Sequence, residues 1–389
     1  MSTPAYVLGE VRPEERKRLT ELFKCHFEQS GFPFVELPLI EKTDHFLDLM
    51  SDEVRRKTYA FSGRDGEEFW VRSDFTLSAC RDFANRFVAE GEEKLSYSGS
   101  VYQERSFENA GASGSPEQVH VGIEFIRPAN ELEADVEVLS TVMAELKKVE
   151  DIKCAIELGD LSLFDALVGA LDLSDRVRQR LIARFRGQSD VERFLRSLRE
   201  AASPSRESQP LISVLARSSQ HEGAALVSEF LALSGITVVG DRSLEEIVER
   251  LLAQSVDAQG LSPGALKTIE EYLAIMGPVE GCVATLKSLA RDRRLKMDAQ
   301  IDVFEKRLAL IKAAGVDLSL VHFSTRAGKA AGYYTGFYFE IFDPAQKPNA
   351  PTFAAGGRYD RLIKMLGAPQ ECPAVGAAVY IDVICRRER

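Results

Sequence analysis

The sequence has no pair of cysteines at metal-ligand spacing. Its six cysteines stand at 25, 80, 154, 282, 372 and 385, with no CxxC among them. That scatter argues against a zinc site and a disulfide framework, and predicts reduced thiols in a cytosolic, cytoplasmic protein. The five histidines are too dispersed for a metal cluster, so neither metal nor cofactor is expected. The first ten residues, MSTPAYVLGE, lack a basic stretch followed by an apolar one, and no secretory leader is expected. No apolar run approaches the roughly 20 residues of a membrane span, so no membrane partner is expected. Positive charge is in deficit: 49 Lys and Arg face 60 Asp and Glu, a formal net charge of -11. That sign disfavours broad contact with a nucleic-acid backbone.

What remains is a chain of 389 residues, 45% hydrophobic, enough for a large core with an insert or for two to three domains. Pro13 opens an amphipathic helix that buries Leu19, Leu22, Phe23 and Phe27 and ends near Gly31. Phe34–Leu37 reads as a strand stopped by Pro38. Thr58–Phe61 and Phe69–Val71 bracket an Asp-Gly turn and read as a hairpin. The second strand leads into Arg72-Ser73-Asp74-Phe75-Thr76 and a helix from Leu77 to Phe87. Thr76 is placed to cap that helix, and Asp74 and Thr76 are as well explained by capping as by a ligand. Leu95–Tyr102 is the next strand, followed by a Gly/Ser loop over 109–116.

Val119–Ile126 carries the most information. Val119, Val121, Ile123 and Phe125 make one apolar face, and His120, Gly122, Glu124 and Ile126 make the other. His120 and Glu124 lie about 13 Å apart along the strand. A carboxylate in so apolar a strand requires a partner; a neighbouring arginine and a cationic or N–H-bearing ligand are equal alternatives. A helix from Ala129 to Lys148 and a strand from Ile152 to Leu158 follow. From Leu161 to about residue 296 the pattern turns helical, with a Ser/Pro-rich linker at 202–210 and no repeat. Ile301, Phe304, Leu308 and Ile311 mark a further helix ending at Gly315.

The last β-rich stretch, Lys329 to Val379, looks like a pocket floor. If it runs as one strand, Tyr333, Thr335, Phe337, Phe339 and Ile341 share a face, and Tyr334, Gly336, Tyr338 and Glu340 share the other. Gly356-Gly357, before Arg358-Tyr359-Asp360, permits close backbone approach to a ligand or makes an ordinary turn. The expected fold is α+β, an antiparallel sheet flanked by helices with a helical insertion. Its parts are core 1–160, insertion 161–296 and core 297–389.

The segments RSDFT (72–76), ERSF with EQVHVGIEFI (104–126), GYYTGFYFE (332–340) and GGRYDRLIKMLG with PAVG (356–376) resemble, in this order, the class II aminoacyl-tRNA synthetase core of the histidyl branch. The resemblance implies a dimer built around Phe34–Leu39. It implies a histidine pocket of Asp74, Thr76, His120, Glu124, Tyr333, Tyr334, Gly357 and Tyr359, with His120 replacing the family's glutamine. Asp74 would face the α-amino group, and Glu124 and the tyrosines would hold the imidazole.

The family's arginines for ATP fall at Tyr102, Lys329 and Val383, with Tyr380 in place of a glycine. The chain stops after the last of these motifs, so no anticodon-binding domain is expected. Changing three such positions together, two of them to uncharged side chains, is incompatible with efficient adenylation. A histidyl core of this kind is similar to the regulatory subunits of ATP phosphoribosyltransferase. That similarity implies no catalysis of its own and a short-form catalytic subunit as partner. It also implies a homodimer within a hetero-octamer, histidine as feedback effector in histidine biosynthesis, and no tRNA. The alternatives are a divergent histidyl-tRNA synthetase and a synthetase-like binding module without ligand.

Overall fold

The structure is a computed structural model that describes residues 11–43, 58–87, 90–103, 116–150, 152–186, 191–202, 261–327, 332–344 and 352–386. The expected helices of 210–253, nearly all of the linker at 202–210, most of the loop at 109–116, the ERSF segment and Lys329 lie outside the described residues.

The described elements run α1 (Pro13–Gln29), β1 (Ile40–Lys42), β2 (Ala60–Ser62), β3 (Glu68–Val71), α2 (Phe75–Asn85), β4 (Glu93–Tyr102), β5 (Glu117–Ile126), α3 (Glu131–Leu146) and β6 (Ala155–Asp160). Then come α4 (Leu161–Ala170), α5 (Asp175–Arg186), α6 (Val191–Ala202), α7 (Pro263–Leu273), β7 (Met276–Pro278), α8 (Val279–Asp292) and α9 (Asp298–Ala313). The chain closes with β8 (Val321–Ser324), β9 (Phe337–Phe342), β10 (Thr352–Arg358), α10 (Leu362–Met365), β11 (Ala374–Tyr380) and α11 (Ile381–Cys385).

The described residues fall into two units, one from 1–164, 275–291 and 297–389, the other from 165–274 and 292–296. In the second unit α5 and α6 bury Val177, Leu181, Phe185, Phe194 and Leu198. There Arg199 and Arg293 pair with Glu270 and Glu271 of α7.

Local signals account for several helix starts. Pro13 stands in the first turn of α1, Glu14 and Glu15 favour its N-terminal dipole, and Leu19, Phe23 and Phe27 are buried. Asn130 caps α3 through two backbone N–H groups, and Ser262 caps α7 ahead of Pro263.

The first unit is built on a mixed eight-stranded sheet ordered β4-β5-β11-β10-β9-β6-β8-β7. Every neighbouring pair is antiparallel except β6 with β8. A separate three-stranded sheet is ordered β1-β3-β2. Phe34–Leu37 is not a strand: Phe34 makes one isolated bridge to Ser96, and the pairing does not propagate towards Pro38.

Register decides what faces the site. One lateral row reads Gly159, Tyr338, Gly357, Gly376, Glu124 and Leu95. The next reads Glu157, Glu340, Ala355, Ala378, Gly122 and Tyr97. A third begins Tyr380, His120 and Gly99. Residues in such rows share a sheet face. The centre of this face is therefore almost bare of side chains, and its rim carries tyrosines and carboxylates. α2 lies over it. The opposite face carries Arg358 and Asp160, which reach α3 and α9.

Candidate functional site

Glu124 is fully buried at the centre of the bare face. The glycine opposite it makes room: a Cβ on Gly376 would overlap Glu124 Oε2. Three hydroxyls meet the carboxylate. Thr76 Oγ1 donates to Oε1 at 2.7 Å and Tyr97 Oη to the same oxygen at 3.2 Å, while Tyr359 Oη donates to Oε2. No arginine reaches it among the described residues, so the partner left open by the sequence is a set of neutral hydroxyls. Burial pushes the Glu124 carboxyl up to about 8, against the lowering effect of those three donors. Neutral donors do not fully replace the lost hydration of a charge.

Asp74 stands beside this group as the N-cap of α2. Its Oδ1 accepts from Thr76 N at 2.6 Å, and its Oδ2 accepts from Tyr333 Oη at 2.8 Å. The cap is thus Asp74 rather than Thr76, and the helix begins one residue before Thr76. That frees the Thr76 hydroxyl for Glu124. Asp74 is at once a cap and a member of the site. Desolvation raises its carboxyl above the ordinary range, and the bonds from Tyr333 and Thr76 oppose the rise.

The tyrosines arrive on two segments. Tyr359 follows β10 and is buried against α2 and α10. Tyr333 and Tyr334 precede β9, which begins only at Phe337. Because 333–336 is not strand, the expected alternation fails there, and both rings lie on the site side. Tyr333 packs 5.0 Å from Tyr334 and edge-on to Tyr359 at 6.1 Å. Thr335 holds the segment down, its N–H donating to Arg358 O at 2.7 Å and its hydroxyl exchanging bonds with Asp360. Gly357 lies under Tyr334: a Cβ there would sit 2.9 Å from the ring and 2.7 Å from Phe337 O. Burial raises the phenols of Tyr97, Tyr333, Tyr334 and Tyr359 well above their ordinary value, so they remain protonated donors.

Asp74, Thr76, Glu124, Tyr333, Tyr334, Gly357 and Tyr359 therefore come together. His120 does not join the carboxylates. It is buried two rows away, with its ring 4.8 Å from that of Tyr380. Sequence reasoning missed Tyr97 as a member of the site. The only available signal was a tyrosine on a strand able to face the bare Gly122, and that needs the β4–β5 register to see. Tyr338 donates to Glu340 at the rim and packs 5.0 Å from Tyr334. Among the described residues no group of three or more His, Cys, Asp or Glu is placed to hold a metal, and no helix is long and apolar enough to cross a membrane.

Gly376→Ala tests the packing of the centre. The new methyl must displace the Glu124 carboxylate, and overpacking of a tight core costs about 1–3 kcal/mol or more. A drop in the midpoint of denaturant unfolding together with loss of ligand binding is expected; a variant unchanged in both would show that the carboxylate does not sit over this glycine.

The geometry has relatives. A family model described as histidyl-tRNA synthetase matches residues 8–230 and 224–384. The ATP phosphoribosyltransferase regulatory subunit of Brucella canis is 30% identical over 353 residues, covering 90% of this chain and 91% of that one. Among solved structures, an ATP phosphoribosyltransferase regulatory subunit/histidyl-tRNA synthetase from Bacillus halodurans superposes with a TM-score of 0.61 at 17% identity. It covers all of this chain and 84% of that one. Histidyl-tRNA synthetase from Nostoc superposes with a TM-score of 0.61 at 15% identity, covering 99% of this chain and 74% of that one. These two likenesses establish the class II synthetase fold. Given the span of the family match and the Brucella identity, this chain belongs to the histidyl-tRNA synthetase family, in the branch of the ATP phosphoribosyltransferase regulatory subunits.

Proposed function

We propose that this chain is a non-catalytic regulatory subunit of ATP phosphoribosyltransferase and that it binds free histidine as the feedback effector. The observation that carries the proposal is the pairing of two buried carboxylates, Asp74 and Glu124, with neutral hydroxyl and backbone N–H donors and no cation among the described residues, inside a wall of tyrosines. Such a site suits a small ligand that brings its own N–H donors and positive charge. The α-ammonium group would be taken by Asp74, whose Oδ2 accepts from the Tyr333 hydroxyl. The imidazole N–H would be taken by Glu124, with Tyr333, Tyr334, Tyr359 and Gly357 around the ring. Thr76 would orient Glu124, and His120 would close the neighbouring end.

The same chain would assemble as a homodimer with short-form catalytic subunits into a hetero-octamer in the cytoplasm, without tRNA. Its core would comprise 1–160 and 297–389 together with β7 and most of α8, which the core unit takes from the expected insertion 161–296. Binding would inhibit only if histidine favours one arrangement of the complex over another, since equal affinity for both shifts nothing. Against a working synthetase, Tyr102 and Val383 stand where the family's nucleotide-gripping arginines would be. Tyr102 Oη is engaged with Glu117 at 3.1 Å.

Titration of the full chain with L-histidine is expected to give saturable heat below millimolar ligand, and histidine-driven exchange of pyrophosphate into ATP is expected to be absent. No heat at millimolar histidine, or exchange above background, would overturn the proposal.

A further inference from the structure

Glu124 is crowded before any ligand arrives. Oε1 takes Thr76 and Tyr97, Oε2 takes Tyr359, and Gly376 closes the side beneath. Oε1 already accepts two hydroxyls, so a ligand N–H that binds that oxygen must displace one of them. Tyr97 is the one placed to give way. Its bond is the longer of the two on Oε1, 3.2 Å against 2.7 Å. A second acceptor, Ala377 O, already lies 3.5 Å from its hydroxyl. Bonds at such lengths are weak and readily exchanged.

Movement of Tyr97 cannot stay local. Its ring lies flat on Phe75, with centroids 4.4 Å apart and planes within 7°. The Arg72 guanidinium sits 3.8 Å from the centroid of Phe75. Two groups this close must occupy opposite faces of the Phe75 ring, so Arg72, Phe75 and Tyr97 form one column. The outer end of the column is anchored. Arg72 is buried, and its guanidinium donates to Leu37 O at 2.8 Å, Pro38 O at 3.1 Å and Ser100 O at 2.8 Å. Its own N–H donates to Leu39 O at 2.9 Å. The segment held this way leads directly into β1 and exposes Leu39 and Ile40.

We propose that Tyr97 is a positioning residue that senses occupancy of Glu124, and that the Arg72–Phe75–Tyr97 column passes this signal to the segment Leu37–Ile40. The inference rests on histidine being the ligand of the site, and it adds the route by which binding reaches the surface. A packed column transmits a displacement because protein interiors are close-packed and resist compression. Coupling of this kind has to be shown by a perturbation that breaks it and leaves binding intact.

Hydrogen exchange over residues 37–43, with and without saturating L-histidine, supplies that test on the full chain. The wild-type chain is expected to change its exchange rate there by at least about threefold. Tyr97→Phe keeps the ring and the stack and loses only the hydroxyl. At histidine concentrations that saturate it by calorimetry, it is expected to lose the exchange response. Phe75→Leu breaks the stack from the other side and is expected to do the same.

Absence of calorimetric heat with the wild-type chain would sink the proposed function and this inference together. Heat without an exchange response in the wild type would sink the coupling alone. A full response in Tyr97→Phe, or in a Phe75→Leu variant that still binds, would likewise overturn it.

Discussion

Glu124→Gln is expected, at pH above about 8 where the Glu124 carboxyl is ionised, to lower histidine affinity by about 100-fold, close to 3 kcal/mol, because a hydrogen bond to a charged group becomes a neutral one. The amide has nearly the shape of the carboxylate, and Thr76, Tyr97 and Tyr359 can all pair with it by turning their hydroxyls. The loss is therefore electrostatic and does not reflect a collapsed site.

A second measurement separates the two. The Glu124 carboxyl is held at about 8 in the folded chain, against 4.5 in its ordinary state. Between those values the folded chain binds more protons than the unfolded one, so stability falls as pH rises through this window. At its full extent this penalty is on the order of 5 kcal/mol. Glutamine has nothing to ionise. The variant is thus expected to gain stability relative to wild type as pH increases from 5 to 8, measured by denaturant midpoints at each pH. Binding of histidine within threefold of wild type would remove Glu124 from the site. Parallel pH profiles for the two chains would show that its carboxyl is not held up.

Much of this was legible in the chain. Glu124 is conspicuous because a carboxylate breaks an otherwise apolar alternation, and the cost of burying it demands a partner. Asp74 and Thr76 are conspicuous because a short polar turn joins a strand to an apolar helix. What alternation alone could not give is the partner itself. Thr76, Tyr97 and Tyr359 lie 48, 27 and 235 residues from Glu124, and their meeting is a property of sheet register.

The same limit explains Tyr333. Its side was assigned by strand periodicity, whereas the bonds of Thr335 to Arg358 and Asp360 hold this segment out of strand geometry. Phe34–Leu37 failed for the converse reason. Its composition suits a strand, yet beyond one bridge to Ser96 the pairing does not continue.

Hardest to foresee was the ionic cluster behind the sheet, and it carries a large expected effect on stability. Asp135 of α3 is fully buried. Its Oδ2 accepts from Arg307 Nε at 2.9 Å, and its Oδ1 from Arg358 Nη2 at 2.7 Å and Nε at 3.1 Å. Arg307 also donates to Asp160 Oδ2 at 2.7 Å, and Arg358 to Asp360 Oδ1 at 2.9 Å. One carboxylate thus joins α3, α9 and β10, and through Asp360 and Thr335 it braces the segment that carries Tyr333 and Tyr334.

Replacing an intact buried pair by apolar side chains is often neutral, but deleting one partner strands the other charge and costs about 3–5 kcal/mol. Asp135→Asn leaves two buried guanidiniums sharing fewer carboxylates. It is expected to lose stability in that range by denaturant unfolding, and to weaken histidine binding without touching the ligand. Arg307→Met with Asp135→Leu, which removes one pair, still strands part of Arg358 and takes the arginine from buried Asp160, and is expected to recover less than half of the loss. A single Asp135→Asn change costing under 1 kcal/mol would mean that the cluster is solvated and does not brace the site.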